Sequence, residues 1–300
     1  MGKLFVLVQY LLPHHLLSAL MHAIMRIEWP PFKNYLIRRI ISLYKVDMQD
    51  AREQRLENFS CFNEFFTRSL KPEARPIAAD GKLASPVDGQ FSPLGDIRGG
   101  RIFQAKKHDY SLLELIGGDQ RLAAEFDDGK FATIYLSPRD YHRIHMPAKG
   151  TLRSMTHVPG RLFSVNRQTV SEVPRLFARN ERLVCIFDGE HGPFAVILVG
   201  AIFVSSMETV WSGIVTPKRL QPVTTEYQQS TPVELAKGAE LGRFNMGSTV
   251  ILLFPKDHLQ WQDNLAAASD IKMGEAIADY PAVVETARDT TAIPDQNQMA

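Results

Sequence analysis

Four short apolar runs constrain the fold of this chain more than any other feature. They span residues 131–136, 183–187, 194–206 and 249–254, and each is bounded by Gly, Pro or Asp. Their β-branched and aromatic residues favour strands, and the turn residues between them are typical of antiparallel neighbours. The sequence therefore predicts a mainly antiparallel β domain of the sandwich or barrel-like type, interrupted by one helix at about 111–116.

Helices are predicted before these strands. Apolar residues recur at helical spacing over 14–28 and again over 32–45, and a third, short helix is expected at 63–69. The stretch 71–76 contains two prolines and is typical of a connection. Helices followed by a β domain indicate an α+β fold.

The chain divides into three parts on these grounds. We expect a helical segment at 1–75, a β-rich domain at 76–281 and a disordered tail at 282–300. With 300 residues, of which 45% are hydrophobic, the chain can bury a large core. A net charge of +1 argues against a general nucleic-acid binder. Cys61 and Cys185 give no disulfide framework, which favours a reducing compartment.

The first 50 residues combine apolar helix faces with an excess of cations. Six Lys and Arg residues stand against three acidic ones, which suits an anionic membrane surface. Ordinary packing of these helices on the core is an equally good explanation. The apolar stretch 4–12 is broken by Gln9 and ended by Pro13, which disfavours a cleaved signal peptide. No segment has the roughly 18 uninterrupted apolar residues that span a bilayer.

The segment 242–249 places a serine beside a glycine at the entrance to the last predicted strand. Gly242 and Gly247 have the spacing of P-loop glycines, but Ser248 stands where a P-loop requires lysine. Val250 also favours a strand where a P-loop opens a helix. Two interpretations of Ser248 remain: a turn residue before a strand, or a nucleophile that attacks its own backbone.

Two histidines follow the run at 131–136. His142 and His145 form an HxxH pair, which can bind zinc, but no further ligand stands nearby at suitable spacing and adjacent arginines disfavour a cation. Histidine also moves protons near neutral pH. The pair is therefore a candidate acid or base, with two structural histidines as the alternative.

Asp88 lies in the turn-like sequence 85–89, where a carboxylate commonly caps its own backbone. With a serine and a histidine it also permits the nucleophile, base and orienting acid of a hydrolase. Ser248 lacks the Gly-x-Ser-x-Gly elbow, however, because Val250 occupies the position of the last glycine. An ordinary serine hydrolase is therefore disfavoured, and a serine activated against its own chain remains.

Eight separated blocks carry a family resemblance. They are FNEFFTR at 62–68, RPI at 75–77, SPVDG at 85–89, YLSPRDYHRIHMP at 135–147, PGRLFSVN at 159–166, LFARNER at 176–182, VGA at 199–201 and ETVW at 208–211. Through them, over roughly residues 50–275, the chain resembles the bacterial pyruvoyl-dependent phosphatidylserine decarboxylases. Met246 stands where that family usually has Leu before its processing tripeptide, a change that conserves volume and polarity.

The resemblance implies that a precursor cuts itself between Gly247 and Ser248. Ser248 would attack the preceding carbonyl, with His145 as the base and Asp88 as its orienting partner. Ser248 would then become a covalent pyruvoyl group, the pyruvate cofactor, which forms a Schiff base with the substrate amine. His142 matches the position associated with substrate handling and protonation. The resemblance implies no metal.

The resemblance also implies a substrate and a location. Phosphatidylserine would become phosphatidylethanolamine and carbon dioxide, on a peripheral protein at the cytoplasmic face of a bacterial inner membrane. Fragments 1–247 and 248–300 would stay together as a heterodimer, and a homodimer of heterodimers is left open. Arg139, Arg143 and Lys107 are candidates for binding the substrate by charge alone. Two alternatives are a pyruvoyl decarboxylase of a soluble amino compound and a noncatalytic membrane-binding module.

Overall fold

The computed structural model describes residues 2–202, 206–215, 220–227, 232–245 and 248–281, with the side chains of 2–5 and 248 left out. Gly247 and the predicted tail at 282–300 lie outside the described residues. The helices are α1 (Gly2–Leu11), α2 (His14–Met25), α3 (Pro30–Tyr44), α4 (Phe62–Phe66), α5 (Leu112–Leu115), α6 (Gln120–Phe126), α7 (Arg167–Glu172) and α8 (Leu176–Arg179).

The strands follow the helical segment and occupy most of the remaining chain. They are β1 (Lys82–Ala84), β2 (Gly89–Asp96), β3 (Arg101–Ala105), β4 (His108–Ser111), β5 (Lys130–Leu136), β6 (Arg143–His145), β7 (Gly150–Val158), β8 (Arg182–Gly189), β9 (Gly192–Val199), β10 (Met207–Thr209), β11 (Gly213–Val215), β12 (Val223–Glu226), β13 (Glu234–Leu235), β14 (Glu240–Phe244), β15 (Ser248–Phe254), β16 (Gln260–Trp261), β17 (Asp270–Ile271) and β18 (Ala276–Asp279).

One large antiparallel sheet organises the structure. Its strand order is β12-β7-β8-β9-β15-β5-β2-β17, and β13 also pairs with β7. A second sheet has the order β11-β10-β14-β6, while β1, β18 and β16 form a third and β3 pairs with β4. The predicted α+β fold, with N-terminal helices before mainly antiparallel sheets, is confirmed.

Strand β15 lies inside the large sheet, hydrogen-bonded to β9 on one edge and to β5 on the other. Residues 250–254 are fully buried. A strand covered on both faces is apolar along its whole length rather than at alternate positions, which explains the unbroken run in the sequence. The C-terminal part of the chain therefore contributes a central strand of the sheet.

The β-rich part contains more helix than the sequence predicted. Besides α5, it holds α6, α7 and α8, and the first turns of α6 and α7 are capped by the side chains of Asp119 and Asn166. The prediction of one helix there is wrong because these helices are too short to develop an apolar period. The strand predicted at 194–206 ends at Val199, where the next residue, Gly200, donates its backbone N–H to Glu181 instead.

Helices α1 and α2 dock on the sheet domain largely through polar residues, beside the buried Val6 of α1, and leave several apolar residues exposed. Gln9 of α1 is only 1% exposed, and the buried residues of α2 are His14 and Ser18. By contrast, Leu16 and Leu20 of α2 are 69% and 56% exposed. Ordinary core packing would bury the apolar face, so it does not explain these two helices. Across the described ranges, every helix is too short or too polar to cross a bilayer.

Candidate active site

The ends of three neighbouring strands lie side by side at one end of the large sheet. They are the start of β15, the end of β5 and the start of β2. Strand β5 ends at Leu136, which pairs with Ser248 at the start of β15. On the other side of β5, Gln90 of β2 pairs with Tyr135, which brings Gly89 alongside the end of β5. A Cβ atom at Gly89 would lie 2.5 Å from the carbonyl oxygen of Tyr135, so glycine is required for this close approach. Asp88 and Ser248 therefore lie at the same end of the sheet, two strand spacings or about 10 Å apart.

In the described part of the chain, an arginine and not its own turn holds the Asp88 carboxylate. Arg75 donates from Nε to Oδ1 at 2.9 Å and from Nη2 to Oδ2 at 2.6 Å. The backbone N–H of Met273 donates to Oδ1 at 2.8 Å. The Nη1 group of Arg75 donates to Asp50 at 2.7 Å, so two carboxylates share this guanidinium.

Both ring nitrogens of His145 are engaged. Nδ1 lies 2.8 Å from the carbonyl oxygen of Gly238, and because a carbonyl only accepts, Nδ1 carries the proton and Nε2 holds a lone pair. The hydroxyl of Tyr141 lies 2.9 Å from Nε2 and donates to it. Burial lowers the pKa of His145, which favours the neutral ring, while the hydrogen bond to Gly238 and, more weakly, the charges of Glu240 and Asp88 oppose this shift. Among the described residues no hydrogen bond joins Asp88 to His145.

His142 is fully buried and presents an unused acceptor. Its Nε2 donates to the carbonyl oxygen of Ser137 at 3.0 Å, so Nδ1 holds the lone pair. That Nδ1 is buried and has no partner in the part of the chain described. The ring stacks on Phe66 with 4.0 Å between centroids. Burial, with a smaller contribution from the charge of Arg68, lowers the pKa of His142 to about 3.

The two histidines are held by separate backbone carbonyls. Their ring N–H groups donate to different backbone carbonyls, those of Ser137 and Gly238. Within the described chain, no group of three or more His, Cys, Asp or Glu side chains is placed to hold a metal ion.

A pair of asparagines anchors the chain just before the predicted cleavage bond. Asn63 donates from Nδ2 to Oδ1 of Asn245 at 3.0 Å, and Asn245 donates from Nδ2 to Oγ of Ser206 at 2.7 Å. The backbone N–H of Asn245 also donates to the carbonyl of Ser206 at 3.1 Å. The sequence reasoning missed these residues, although Asn63 and Asn245 lie in two of the segments it singled out.

Two cavities open beside this end of the sheet. An apolar cavity of about 490 Å³ lies between α1, α3, α4 and the sheet, and its lining includes Phe66, Leu136 and Ala201. A polar cavity of about 220 Å³ is lined in part by Asp88 and Tyr141. The end of the sheet where Ser248 lies is thus close to both the apolar and the polar cavity.

The cations proposed from charge alone occupy different positions. Arg139 lines the polar cavity. Arg143 donates to Glu240 at 2.8 Å on the neighbouring strand, and Lys107 is exposed in the turn between β3 and β4. Sequence reasoning missed Arg68, which also lines the polar cavity and is only 5% exposed. Nothing in the local sequence signals that this arginine is buried.

Comparison with known proteins gives consistent matches. A family model described as phosphatidylserine decarboxylase matches residues 62–279, and a second, described as PSD, matches residues 4–45. The phosphatidylserine decarboxylase proenzyme of Pseudomonas aeruginosa is 56% identical over 281 residues, covering 92% of this chain and 96% of that protein. Proenzymes of the same name from Pseudomonas fluorescens and Azotobacter vinelandii are 54% and 55% identical, each covering 92% of this chain, and 96% and 97% of their own lengths.

These matches define the class as phospholipid decarboxylases. The chain belongs to the phosphatidylserine decarboxylase family. The resemblance carried by the eight sequence blocks is thereby confirmed.

Proposed function

We propose that this chain cuts itself between Gly247 and Ser248 and then converts phosphatidylserine to phosphatidylethanolamine and carbon dioxide. The observation that carries the proposal is the position of Ser248. It is the first residue of the central strand β15, at the same end of the sheet as Asp88. Its relatives are named phosphatidylserine decarboxylase proenzymes, which supports both the substrate and a processed precursor.

His145 is suited to act as the base in self-cleavage. A serine hydroxyl is a weak nucleophile until a base takes its proton. Because Nδ1–H of His145 is engaged by Gly238, its Nε2 is the nitrogen that receives this proton. The lowered pKa keeps that lone pair available near neutral pH. As Oγ of Ser248 bonds to the carbonyl carbon of Gly247, the peptide C–N bond breaks to give an ester and a free amine.

We assign Asp88 to stabilising the imidazolium that this step produces. The Asp88 carboxylate bonds to Arg75 and the backbone of Met273, so it is held in place with its charge near the site. Orientation of His145 comes from the Gly238 carbonyl. In this proposal Asp88 acts on His145 through its charge, which is one of the weaker influences that oppose the lowering of the pKa of that ring.

Strand β15 is suited to hold the terminus created by cleavage. Elimination from the ester leaves dehydroalanine at position 248, and its hydrolysis releases ammonia and gives a pyruvoyl group. The residues present fit that group, because Ser248 pairs with Leu136 and Thr249 pairs with both Tyr135 and Val199. When formed, the group supplies an electron sink for decarboxylation. The fragments 1–247 and 248–300 stay associated because β15, β17 and β18 pair with strands of the larger one.

His142 is suited to deliver the proton that replaces the carboxylate. Loss of carbon dioxide leaves the substrate α-carbon one proton short. Nδ1 of His142 is a buried, unpartnered acceptor, so the ring must first take up a proton there and can then pass it to that carbon. The bond to Ser137 and the stack on Phe66 hold the ring in one orientation. Burial keeps this transfer away from bulk water.

A lipid substrate is supported by the apolar surfaces beside the site. The apolar cavity has room for parts of the acyl chains and is lined by Leu136, the partner of Ser248. On α1 and α2, the exposed leucines Leu11, Leu16 and Leu20 form a surface suited to insertion between lipid headgroups. We therefore place the protein peripherally on the membrane, at the cytoplasmic face of a bacterial inner membrane.

The intact mass of the purified protein tests the processing step. We expect two fragments from the wild type, the smaller beginning with a pyruvoyl group at position 248, and one uncut chain from Ser248→Ala. Release of carbon dioxide from phosphatidylserine in mixed micelles tests the activity. An uncut wild type that still decarboxylates would overturn the mechanism, and activity on free serine without activity on the lipid would favour a soluble substrate.

A further inference from the structure

Arg68 is a buried cation that forms no ion pair with any residue that the structure describes. It is 5% exposed, its Nη2 donates only to the carbonyl oxygen of Arg139 at 3.4 Å, and its guanidinium lies 5.4 Å from the centroid of the Phe65 ring. Nε and Nη1 have no partner in the part of the chain that the structure describes. A buried guanidinium is costly unless an anion or further hydrogen bonds compensate it.

Among the described residues, no carboxylate forms an ion pair with Arg68, and the charges of Asp88 and Asp140 act on it only from a distance. The aspartates that line the polar cavity with Arg68 are Asp47, Asp50, Asp88, Asp140 and Asp270. Asp88 is engaged by Arg75, and Asp140 accepts from the backbone N–H and the hydroxyl of Ser137, each at 2.7 Å. Arg68 therefore contributes an unused positive charge to a cavity of about 220 Å³.

The polar cavity and the apolar cavity share a wall. Tyr44 and Pro138 line the apolar cavity. The residues that follow them in the sequence, Lys45 and Arg139, line the polar cavity. Phe66 and Arg68 divide in the same way. In a phospholipid, the phosphodiester joins the apolar tails to the polar headgroup. The boundary between the two cavities is therefore the place where a phosphodiester belongs.

We infer that Arg68 binds the phosphodiester of the phospholipid substrate, an inference that rests on the proposed function. Unpartnered guanidinium N–H groups are charge-assisted donors that phosphate oxygens accept well. The substrate carboxylate is a poorer occupant because it leaves as neutral carbon dioxide. A buried cation bound to it would stabilise the ground state more than the transition state.

The test compares Arg68→Gln and Arg68→Lys with Arg98→Gln in the full-length, processed protein. The side chain of Arg98 is 86% exposed on the loop after β2 and serves as the matched control. Loss of a charge-assisted contact made equally in ground and transition states should raise KM for phosphatidylserine about 10- to 100-fold in Arg68→Gln. The change in kcat should be much smaller, and it reflects the charge that Arg68 exerts on His142. Arg68→Lys should show a smaller rise, and Arg98→Gln should match the wild type.

A soluble probe separates the phosphodiester from the carboxylate. Glycerophosphoethanolamine carries the phosphodiester and no carboxylate, so its inhibition should weaken in Arg68→Gln in proportion to the rise in KM. Unchanged inhibition beside a raised KM would assign Arg68 to the carboxylate and overturn the inference. If both stay unchanged, the cavity holds only water against Arg68, and the inference is equally wrong.

Two further measurements keep the outcomes distinct. Intact mass reports the cut fraction of each variant, and if Arg68→Gln stays uncut, Arg68→Lys carries the comparison. If the wild type does not decarboxylate phosphatidylserine, the proposed function fails. Calorimetric binding of glycerophosphoethanolamine to the wild type and to Arg68→Lys then still decides whether Arg68 forms an anion site.

Discussion

The hydroxyl of Tyr141 donates to Nε2 of His145 across 2.9 Å. This lone pair is the one that the proposed self-cleavage needs for the proton of Ser248. Tyr141 therefore competes with Ser248 for the base. By donating to the neutral imidazole, the hydroxyl also favours the neutral form of His145 over the charged form.

We expect Tyr141→Phe to shift the pH dependence of self-cleavage upward. Burial lowers the pKa of His145 from its ordinary value of 6.5, so wild-type cleavage should persist below pH 6.5 and fall once the ring is protonated. Removing a donor to the neutral ring raises the pKa, so the variant should lose cleavage at a higher pH than the wild type. The rate at which newly synthesised precursor is cut, followed on gels between about pH 5 and 8, measures the midpoint.

Tyr110→Phe is the matched control for this experiment. Tyr110 is also a buried tyrosine, on β4, and its removal deletes the same hydroxyl from the core. Its midpoint should equal that of the wild type. If the midpoint for Tyr141→Phe is unchanged or lower, the Tyr141 hydroxyl does not lower the pKa of His145.

Substitution of the two histidines should separate processing from decarboxylation. We expect His145→Ala to remain uncut, because no other base is placed at that position. We expect His142→Ala to be cut but to lose decarboxylation by about 10²- to 10⁴-fold, the usual contribution of a positioned acid or base. Intact mass and release of carbon dioxide measure the two steps. The assignment is contradicted if His142→Ala is cut and fully active.

Arg75→Gln should destabilise the precursor much more than Asp50→Asn. The side chains of Arg75 and Asp88 are 8% and 11% exposed, and removing one partner of a buried pair costs about 3–5 kcal/mol. The Asp50 side chain is 37% exposed, so its loss should cost no more than about 1 kcal/mol. Urea unfolding in a Ser248→Ala background, which prevents cleavage, measures both. Equal losses in the free energy of unfolding would mean that the buried pair between Arg75 and Asp88 adds no stability beyond that of the exposed pair with Asp50.

Replacing Leu11, Leu16 and Leu20 together with serine should weaken membrane binding. These side chains are exposed, so the fold should tolerate the change, whereas each leucine buried in a bilayer contributes about 1.5–3 kcal/mol. We expect at least a roughly 100-fold loss of binding to phosphatidylglycerol and phosphatidylcholine vesicles in sedimentation. Phe103→Ser, at an exposed apolar residue of β3, is the control. Undiminished binding of the triple variant would exclude these helices as the membrane surface.

Local sequence is sufficient to predict the elements that depend on local chemistry. The central strand at 249–254 is an unbroken apolar run, and α2 and α3 have clear helical periods, so all three are found close to their predicted bounds. Short elements such as α6 and α7 are stabilised by single caps and by packing, and they leave little periodic signal. The residue blocks also single out Asp88, His142 and His145 as candidates, and the segment 242–249 singles out Ser248.

The sequence by itself determined the residue types at the site and the family to which the chain belongs. Only the tertiary structure decided their partners: Asp88 is bound by Arg75 and by Met273, which is 185 residues away, and Nε2 of His145 is bound by Tyr141. It also decided that Arg68 is buried and forms no ion pair within the described ranges. Burial and hydrogen bonding arise where distant segments meet, so no local pattern contains them.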